Sequence, residues 1–362
     1  MALNAMDYPP QGFLREKNPM FQISSLRGAT RIAKLAGAAA AMVVVASSAH
    51  AQSLNGAGAT FINPIMSKWV AAYKQATGVE VNYQPIGSGG GINALIAKTV
   101  DFACSDVPMT ASEESQAGTA TLNIPDIIGA VVVSYSVPGI GPGIALTGPV
   151  VADIFEGKIA YWDDPEIVKL SPGIKFPHEN ILVIHRSDGS GTTAIFTDYL
   201  SKVSKSWSTD VGTGKSVNWP VGLGAKGNPG VAGYLKNKPY SIGYVELAYA
   251  IQQNIPYAKI KNKAGVFIYP SDEAASAAAE GIKIPENLKI SITNSAHEKA
   301  YPIAGISNLI VRASWQKNVE VKKFVKWILT DGQAAEFTEP LHYSPLPAGV
   351  AKKALEHIEK IH

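Results

Sequence analysis

Residues Ile181–Val203 read ILVIHRSDGSGTTAIFTDYLSKV. Ile181–His185 is a short apolar run of strand length. Arg186-Ser187-Asp188-Gly189-Ser190-Gly191-Thr192 is rich in turn-forming residues, and TTAIFTDYLSKV has the apolar spacing of a helix. Strand, glycine/serine turn and helix make the unit from which α/β sheets are built, and the chain repeats it. Val79–Pro85 (VEVNYQP) alternates as a strand does, and Gly87-Ser88-Gly89-Gly90-Gly91 then leads into a helical INALIAKTV from Ile92. Gly56-Ala57-Gly58-Ala59-Thr60-Phe61 precedes Pro64 and a helical MSKWVAAYKQ. Ile127–Val137 (IIGAVVVSYSV) and Ile303–Arg312 (IAGISNLIVR) read as buried strands. Val319–Thr330 (VEVKKFVKWILT) and Ala274–Ala279 read as helices. The expectation is an α/β fold with largely parallel pairing.

The chain has 362 residues, 46% hydrophobic and 17% charged, which is ordinary globular composition. Arg27, Arg31 and Lys34 precede the apolar run Leu35–Ala46, and Ser47-Ser48-Ala49-His50-Ala51 ends in A-x-A. That is the pattern of a secretory signal, and its apolar run is too short to span a bilayer. The reading is a signal peptide over 1–51, with an upstream extension before Met20, cleavage after Ala51, and a mature protein from Gln52. Residues 1–51 hold five basic and two acidic side chains of the 32 and 29 in the chain, so the body carries 27 of each and is formally neutral. Neutrality argues against a nucleic-acid binder. A single cysteine, Cys104, excludes an intrachain disulfide or a Cys-based zinc site. Export without disulfides points to a bacterial periplasm.

A mature body of this size is expected to form two domains. Val137-Pro138-Gly139-Ile140-Gly141-Pro142-Gly143 is dense in chain-turning residues, as a crossover is. The strand at Ile303–Arg312 brings the chain back. Residues 52–137 and 302–362 are therefore expected to form a discontinuous lobe I, with 138–301 as an inserted lobe II and a ligand cleft between them.

The three turns place Gly, Ser or Thr where a strand hands over to a helix. Free N–H groups and the positive end of the helix dipole make such a place an anion site, and each Ser or Thr there is equally a simple N-cap. Arg186 adds a planar cation suited to a tetrahedral oxyanion, with Asp188 able to hold it, a surface ion pair being the plainer alternative. Asp106 is either an N-cap before Pro108 or a carboxylate facing the site. In the second case it repels an anion unless the ligand carries a proton to donate, as phosphate does near neutral pH and sulfate does not.

GAGATF, YQPIGSGGGI, DFACSDVPM, IFEGKIAYWDDPEI, HRSDGSGTTAIFTDYL and WPVGLGAKGN…IGYVE together resemble the periplasmic phosphate-binding (PstS) family of bacterial phosphate ABC transporters, in order from about Leu54 to the C-terminus. The resemblance implies the two-lobed periplasmic binding protein fold (type II), with lobes joined by hinge strands and closing on the anion. It implies phosphate contacts at Thr60 and Phe61 (backbone), Ser88, Asp106, Arg186, Ser190, Gly191 and Thr192, with Asp188 supporting the arginine. It implies a soluble monomer that binds inorganic phosphate with high affinity, uses no cofactor and performs no chemistry. Delivery to a membrane ABC permease and ATPase complex follows from the resemblance alone. Cys104, where a small residue is usual, and His185 depart from the pattern outside the contacts, and Ser271–Ala300 is its least family-like part.

The alternatives are a receptor for sulfate or molybdate, and an exported phosphatase using Ser88 or Ser190, for which no base or metal ligands are identifiable. Gly222-Leu223-Gly224-Ala225-Lys226-Gly227 fits G-x-G-x-x-G, but with no convincing strand before it or helix after it the reading is a structured turn.

Overall fold

The computed structural model describes residues 53–362. The leader, its cleavage point and Met20 lie outside them. The strands are β1 (Ser53–Gly58), β2 (Glu80–Gln84), β3 (Phe102–Ser105), β4 (Thr121–Ser136), β5 (Ala145–Leu146), β6 (Leu182–Arg186), β7 (Leu223–Ala225), β8 (Ser241–Glu246), β9 (Lys259–Lys261), β10 (Phe267–Ile268) and β11 (Ala304–Arg312). The main sheet runs β2-β1-β3-β11-β4-β8-β6-β7, and a small one runs β10-β9-β5.

β4 organises the molecule. It is β-branched and buried from Leu122 to Tyr135, as a strand covered on both faces must be. Through Ala130 it pairs antiparallel with β11, and from Val131 to Ser136 it pairs antiparallel with β8. The change of partner falls between Ala130 and Val131, where the Val131 N–H donates to the Ile303 carbonyl just before β11 begins. The two long strands thus meet where one half of the sheet gives way to the other. The Val137–Gly143 turn lies beyond this point on the chain.

Pairing is more mixed than expected. β1 is parallel to β2 and β3, and β6 is parallel to β7 and β8. β11 and β4 introduce the antiparallel contacts β11–β3, β11–β4 and β4–β8. In the main sheet the parallel strands are each followed by a helix. The helix Asn63–Thr77 has Pro64 in its first turn, turns Ile65, Met66, Trp69 and Tyr73 inward, and stops at Gly78. The helix Gly191–Val203 buries Ile195, Phe196, Tyr199 and Leu200. Asn318–Leu329 and Asp272–Ala277 are helical as expected.

The reading of residues 222–227 as a turn needs correction. Leu223–Ala225 is a strand, paired parallel with β6, and a helix runs from Gly227 to Asn237. Gly-Asn-Pro-Gly looks like a helix breaker by propensity, but proline in a first turn forfeits no hydrogen bond. This is a fourth handover of strand to helix.

Candidate functional site

The sequence-selected residues gather at the carboxyl ends of β1, β3 and β6, where open α/β sheets place their ligands. Thr60 and Phe61 follow β1, Ser88 opens the helix Ser88–Ile96, and Asp106 follows β3. Arg186 ends β6, and Ser190, Gly191 and Thr192 begin the helix after it. All are buried: Thr60 is 3% exposed, Ser88 1%, Asp106 4%, Arg186 3% and Ser190 and Thr192 0%.

Arg186 and Asp188 face each other side-on. Nε donates to Oδ1 at 2.7 Å and Nη2 to Oδ2 at 2.6 Å. Gly227 N–H donates to the same carboxylate at 3.0 Å. Burial raises the Asp188 carboxyl, but hydrogen bonds from Arg186 and its charge outweigh that and hold it below the usual range. This is a positioning pair, with Arg186 buried and Asp188 half-buried. It takes one edge of the guanidinium and leaves the Nη1/Nη2 end, with Nη1 3.4 Å from Thr192 Oγ1.

Ser190 is the N-cap of its helix, its Oγ accepting from Thr193 N–H at 3.0 Å. The capping reading therefore holds for Ser190, whose hydroxyl proton stays available to a ligand. Ser88 and Thr60 are not caps. Ser88 Oγ accepts from Gly191 N–H at 3.1 Å and lies 3.4 Å from Asp106 Oδ2. Thr60 Oγ1 accepts from the backbone and side-chain nitrogens of Asn228 at 3.1 and 3.0 Å. The carbonyls of Thr60 and Phe61 accept from the Tyr249 and Tyr343 hydroxyls, both at 2.6 Å, which fixes the peptide planes of that turn.

Asp106 is not an N-cap; Thr110 caps the following helix, with a capping box to Glu113. The Asp106 carboxyl lies instead at the N-terminus of the helix Gly191–Val203. Burial pushes its pKa up to about 7, while the Arg186 charge and the nearby Ser88 hydroxyl, Ser307 hydroxyl and Thr192 N–H pull the other way. A cavity of about 300 Å³ lies beside it, walled by Val107, Pro108, Ile195 and Ile306 with Asp198 and Lys215. The sign for stability follows. The folded chain keeps this proton to higher pH than the unfolded chain, so Asp106 costs stability increasingly as pH rises from about 4 to 7. Denaturant midpoints of the ligand-free protein are expected to be higher at pH 5.5 than at pH 7.5. The difference should shrink in Asp106→Asn.

Asn228 was missed by sequence reasoning. Its amide bridges Thr60 Oγ1 and Thr192 Oγ1 at 3.0 Å each, and its Oδ1 accepts from Glu246 N–H at 3.0 Å. The signal was present in the glycine-rich strand-to-helix handover at 222–227, the same pattern as the other three turns. Cys104 is a packed residue, fully buried, its thiol pushed well above the ordinary value by burial first and by Asp126 next. His185 stacks on Trp219 at 4.8 Å.

Contacts across the cleft close it. Gly89 N–H donates to the Gly189 carbonyl at 2.8 Å, and Lys215 pairs with Glu113. Gly87 sits at φ +88°, and a Cβ there would stand 2.3 Å from Asp188 Oδ2, so glycine is required on both grounds. The assembled site offers helix-end N–H groups, hydroxyls, one arginine end and one carboxyl able to accept a proton. Those groups have the chemistry to hold a small, partly protonated oxyanion. Among the described residues no cluster of His, Cys, Asp or Glu is arranged to hold a metal, and no helix is long and apolar enough to cross a membrane.

The chain matches the family model of the PBP superfamily domain over residues 44–332. It is 46% identical over 309 residues to the phosphate-binding protein PstS of Haemophilus influenzae, covering 83% of this chain and 91% of the other. It resembles a phosphate ABC transporter substrate-binding protein of Clostridium perfringens solved with phosphate, at 18% identity and a TM-score of 0.60, over 82% of this chain and 100% of that one. It also resembles a high-affinity periplasmic phosphate-binding protein, PfluDING, solved with phosphate, at 21% identity and a TM-score of 0.66, over 83% and 92%. At these identities the two structures bear on the fold.

Proposed function

Because the chain belongs to the PstS family of phosphate-binding proteins, we propose that it captures inorganic phosphate in the cleft described above and delivers it to a membrane ABC permease and ATPase complex. It is a binding protein, not an enzyme, with the two-lobed α/β fold of periplasmic substrate-binding proteins. Our assignment of the contacts is to the Thr60 and Phe61 backbone, Ser88, Asp106, the Nη end of Arg186, Ser190, Gly191 and Thr192, with Asp188 holding the arginine. Asn228 ties Thr60 to Thr192 and is added as a positioning residue. We draw the lobe boundary at the change of partner in β4 and at the start of β11 rather than at the Val137–Gly143 turn. The leader is read as an export signal cleaved after Ala51, and the mature chain as a periplasmic monomer.

The observation that carries the ligand assignment is Asp106. A carboxylate at a helix N-terminus beside an arginine rejects an anion unless that anion donates a proton. Calorimetric titration of the chain from Gln52, stripped by unfolding and refolding and held at pH 8, is expected to show one-to-one phosphate binding and silence with sulfate. Sulfate binding with weak phosphate would change the ligand and keep the fold. Asp106→Asn removes the charge and supplies an amide donor, so sulfate binding should become measurable. An unchanged phosphate-over-sulfate preference in that variant removes Asp106 from this role.

A further inference from the structure

A second carboxyl, which phosphate capture as described does not use, stands behind Asp106. Ser105 lies opposite Asn308 in the β3–β11 pair, so the next residue, Asp106, comes opposite Ser307. On the other side of β11 the register slips: Ser307 pairs with Ile127 and Asn308 with Pro125, leaving Asp126 as the extra residue of a β-bulge. Asp106, Ser307 and Asp126 therefore meet along one rung of three strands. They are 4%, 0% and 0% exposed. Ser307 sits near enough to both carboxyls to lower each as a hydrogen-bond donor does. Yet its Oγ, Asp106 Oδ1 and both Asp126 oxygens complete no well-aligned hydrogen bond.

Counting donors decides what this cluster is. Ionised, the three unpartnered carboxylate oxygens only accept, while Ser307 has one proton to give and the Ile127 N–H is the other donor near Asp126, two donors for three acceptors. Unmet buried acceptors are costly, so the rung needs a further proton. Asp106 faces the Arg186 guanidinium, the Ser88 hydroxyl and the Thr192 N–H, all of which favour its ionised form. Asp126 faces Asp106 and Ser307, with Cys104 of β3 and Tyr83 of β2 nearby, both held neutral, and its own burial and the Asp106 charge push it well above the carboxylate range. Gln333 binds the Asp126 carbonyl, not its carboxyl, and Glu246 of β8 bears on Asp106 as a further buried acid. No cation is among the groups acting on Asp126.

We propose that Asp126 is a positioning residue of the phosphate site: protonated, it donates to Ser307 Oγ, Ser307 donates to the inner oxygen of Asp106, and this relay keeps Asp106 ionised with Oδ2 toward Ser88 and the ligand's proton. The proposal rests on the reading that Asp106 contacts phosphate. Its consequence is phosphate capture that persists to lower pH than the burial of Asp106 alone would permit.

The test is phosphate affinity from pH 5.5 to 8.5 for the chain from Gln52. Asp126→Ala and Ser307→Ala are each expected to move the acid limb of the profile up by about one pH unit, roughly a tenfold loss near pH 6. The double variant should move no further, because both changes cut one relay. Asp126→Asn, whose amide still donates to Ser307, should restore the wild-type limb. If Asp126 were ionised, its removal would instead move the limb to lower pH, and that result, an unmoved limb, or additive shifts would each overturn the relay. Should Asp126→Ala not fold, Ser307→Ala and Asp126→Asn give the same reading. Wild-type protein that binds no phosphate, or Asp106→Asn with an unaltered profile, points to failure of the ligand assignment itself.

Discussion

Replacing Arg186 with alanine is expected to weaken phosphate binding by about 10²–10⁴-fold. The residue is 3% exposed and, in the assignment proposed above, is the cation that meets the ligand. Asp188 occupies its Nε and one Nη2 proton, so the ligand meets the guanidinium end-on, through Nη1 and the outer Nη2 proton. Two charge-assisted hydrogen bonds at roughly 1.5–3 kcal/mol each account for a loss of about 3–6 kcal/mol. The variant also leaves Asp188 a half-buried carboxylate that keeps the Gly227 N–H but loses its cation. Some loss of thermal stability should therefore accompany the loss of affinity. Arg186→Ala combined with Asp188→Asn separates the two effects, recovering stability without affinity. Arg186→Lys keeps the charge but cannot bridge Asp188 and the ligand with one rigid plane, and should fall between wild type and alanine. Calorimetric Kd values with melting curves in the absence of phosphate check all three, and near-wild-type affinity in Arg186→Ala would place the site elsewhere.

The parts of this site legible in the sequence were those whose chemistry is local. Ser88, Ser190 and Thr60 stand out because glycine beside a hydroxyl at the start of a helical pattern is visible within a few residues. Arg186 and Asp188, two positions apart, announce their own pair. Asn228 was hidden because its helix begins with Gly-Asn-Pro-Gly, a string that propensity reads as broken, while its role depends on Thr60 and Thr192 far away in the chain. Capping and ligand contact both suit an aspartate before Pro108, and it took the tertiary structure, with Thr110 as the cap, to remove the first of these readings for Asp106. β4 was recognised as a buried strand from its β-branched run. That it changes partner at Ala130 is a property of β11 and β8, and no pattern inside β4 reports it. Asp126 is the extreme case. It sits next to Pro125, just before the run Ile127–Val137 that reads as a buried strand, and only the register slip against β11 brings it to the rung of Asp106.

Gly191→Val is expected to abolish phosphate binding while leaving the fold intact, because with the lobe boundary proposed above the obstruction lies between the two lobes and not within either. A Cβ on Gly191 would stand 2.5 Å from Asp106 Oδ2, 2.5 Å from Ser88 Oγ and 2.6 Å from Asp106 Cβ. Gly191 begins the helix after β6, whereas Ser88 and Asp106 follow β2 and β3 on the other side of the cleft. Gly191 does not need positive φ, so a side chain is compatible with its own helix. The contact that glycine permits, its N–H to Ser88 Oγ at 3.1 Å, exists only when the two sides meet. A wedge there holds the cleft apart and removes several ligand contacts together, which makes its expected effect at least as large as losing Arg186. Ligand-free melting should change little, because relieving the clash by opening exposes the cleft and not the core of either side. The increase in melting temperature that saturating phosphate gives wild type should vanish, since that increase measures binding to the folded state. Gly191→Ala places the same Cβ with less bulk beyond it and should retain weak, measurable binding. A valine variant that keeps the phosphate-dependent shift would mean that the ligand is held without closure across Gly191, and the cleft geometry assigned to binding would have to be abandoned.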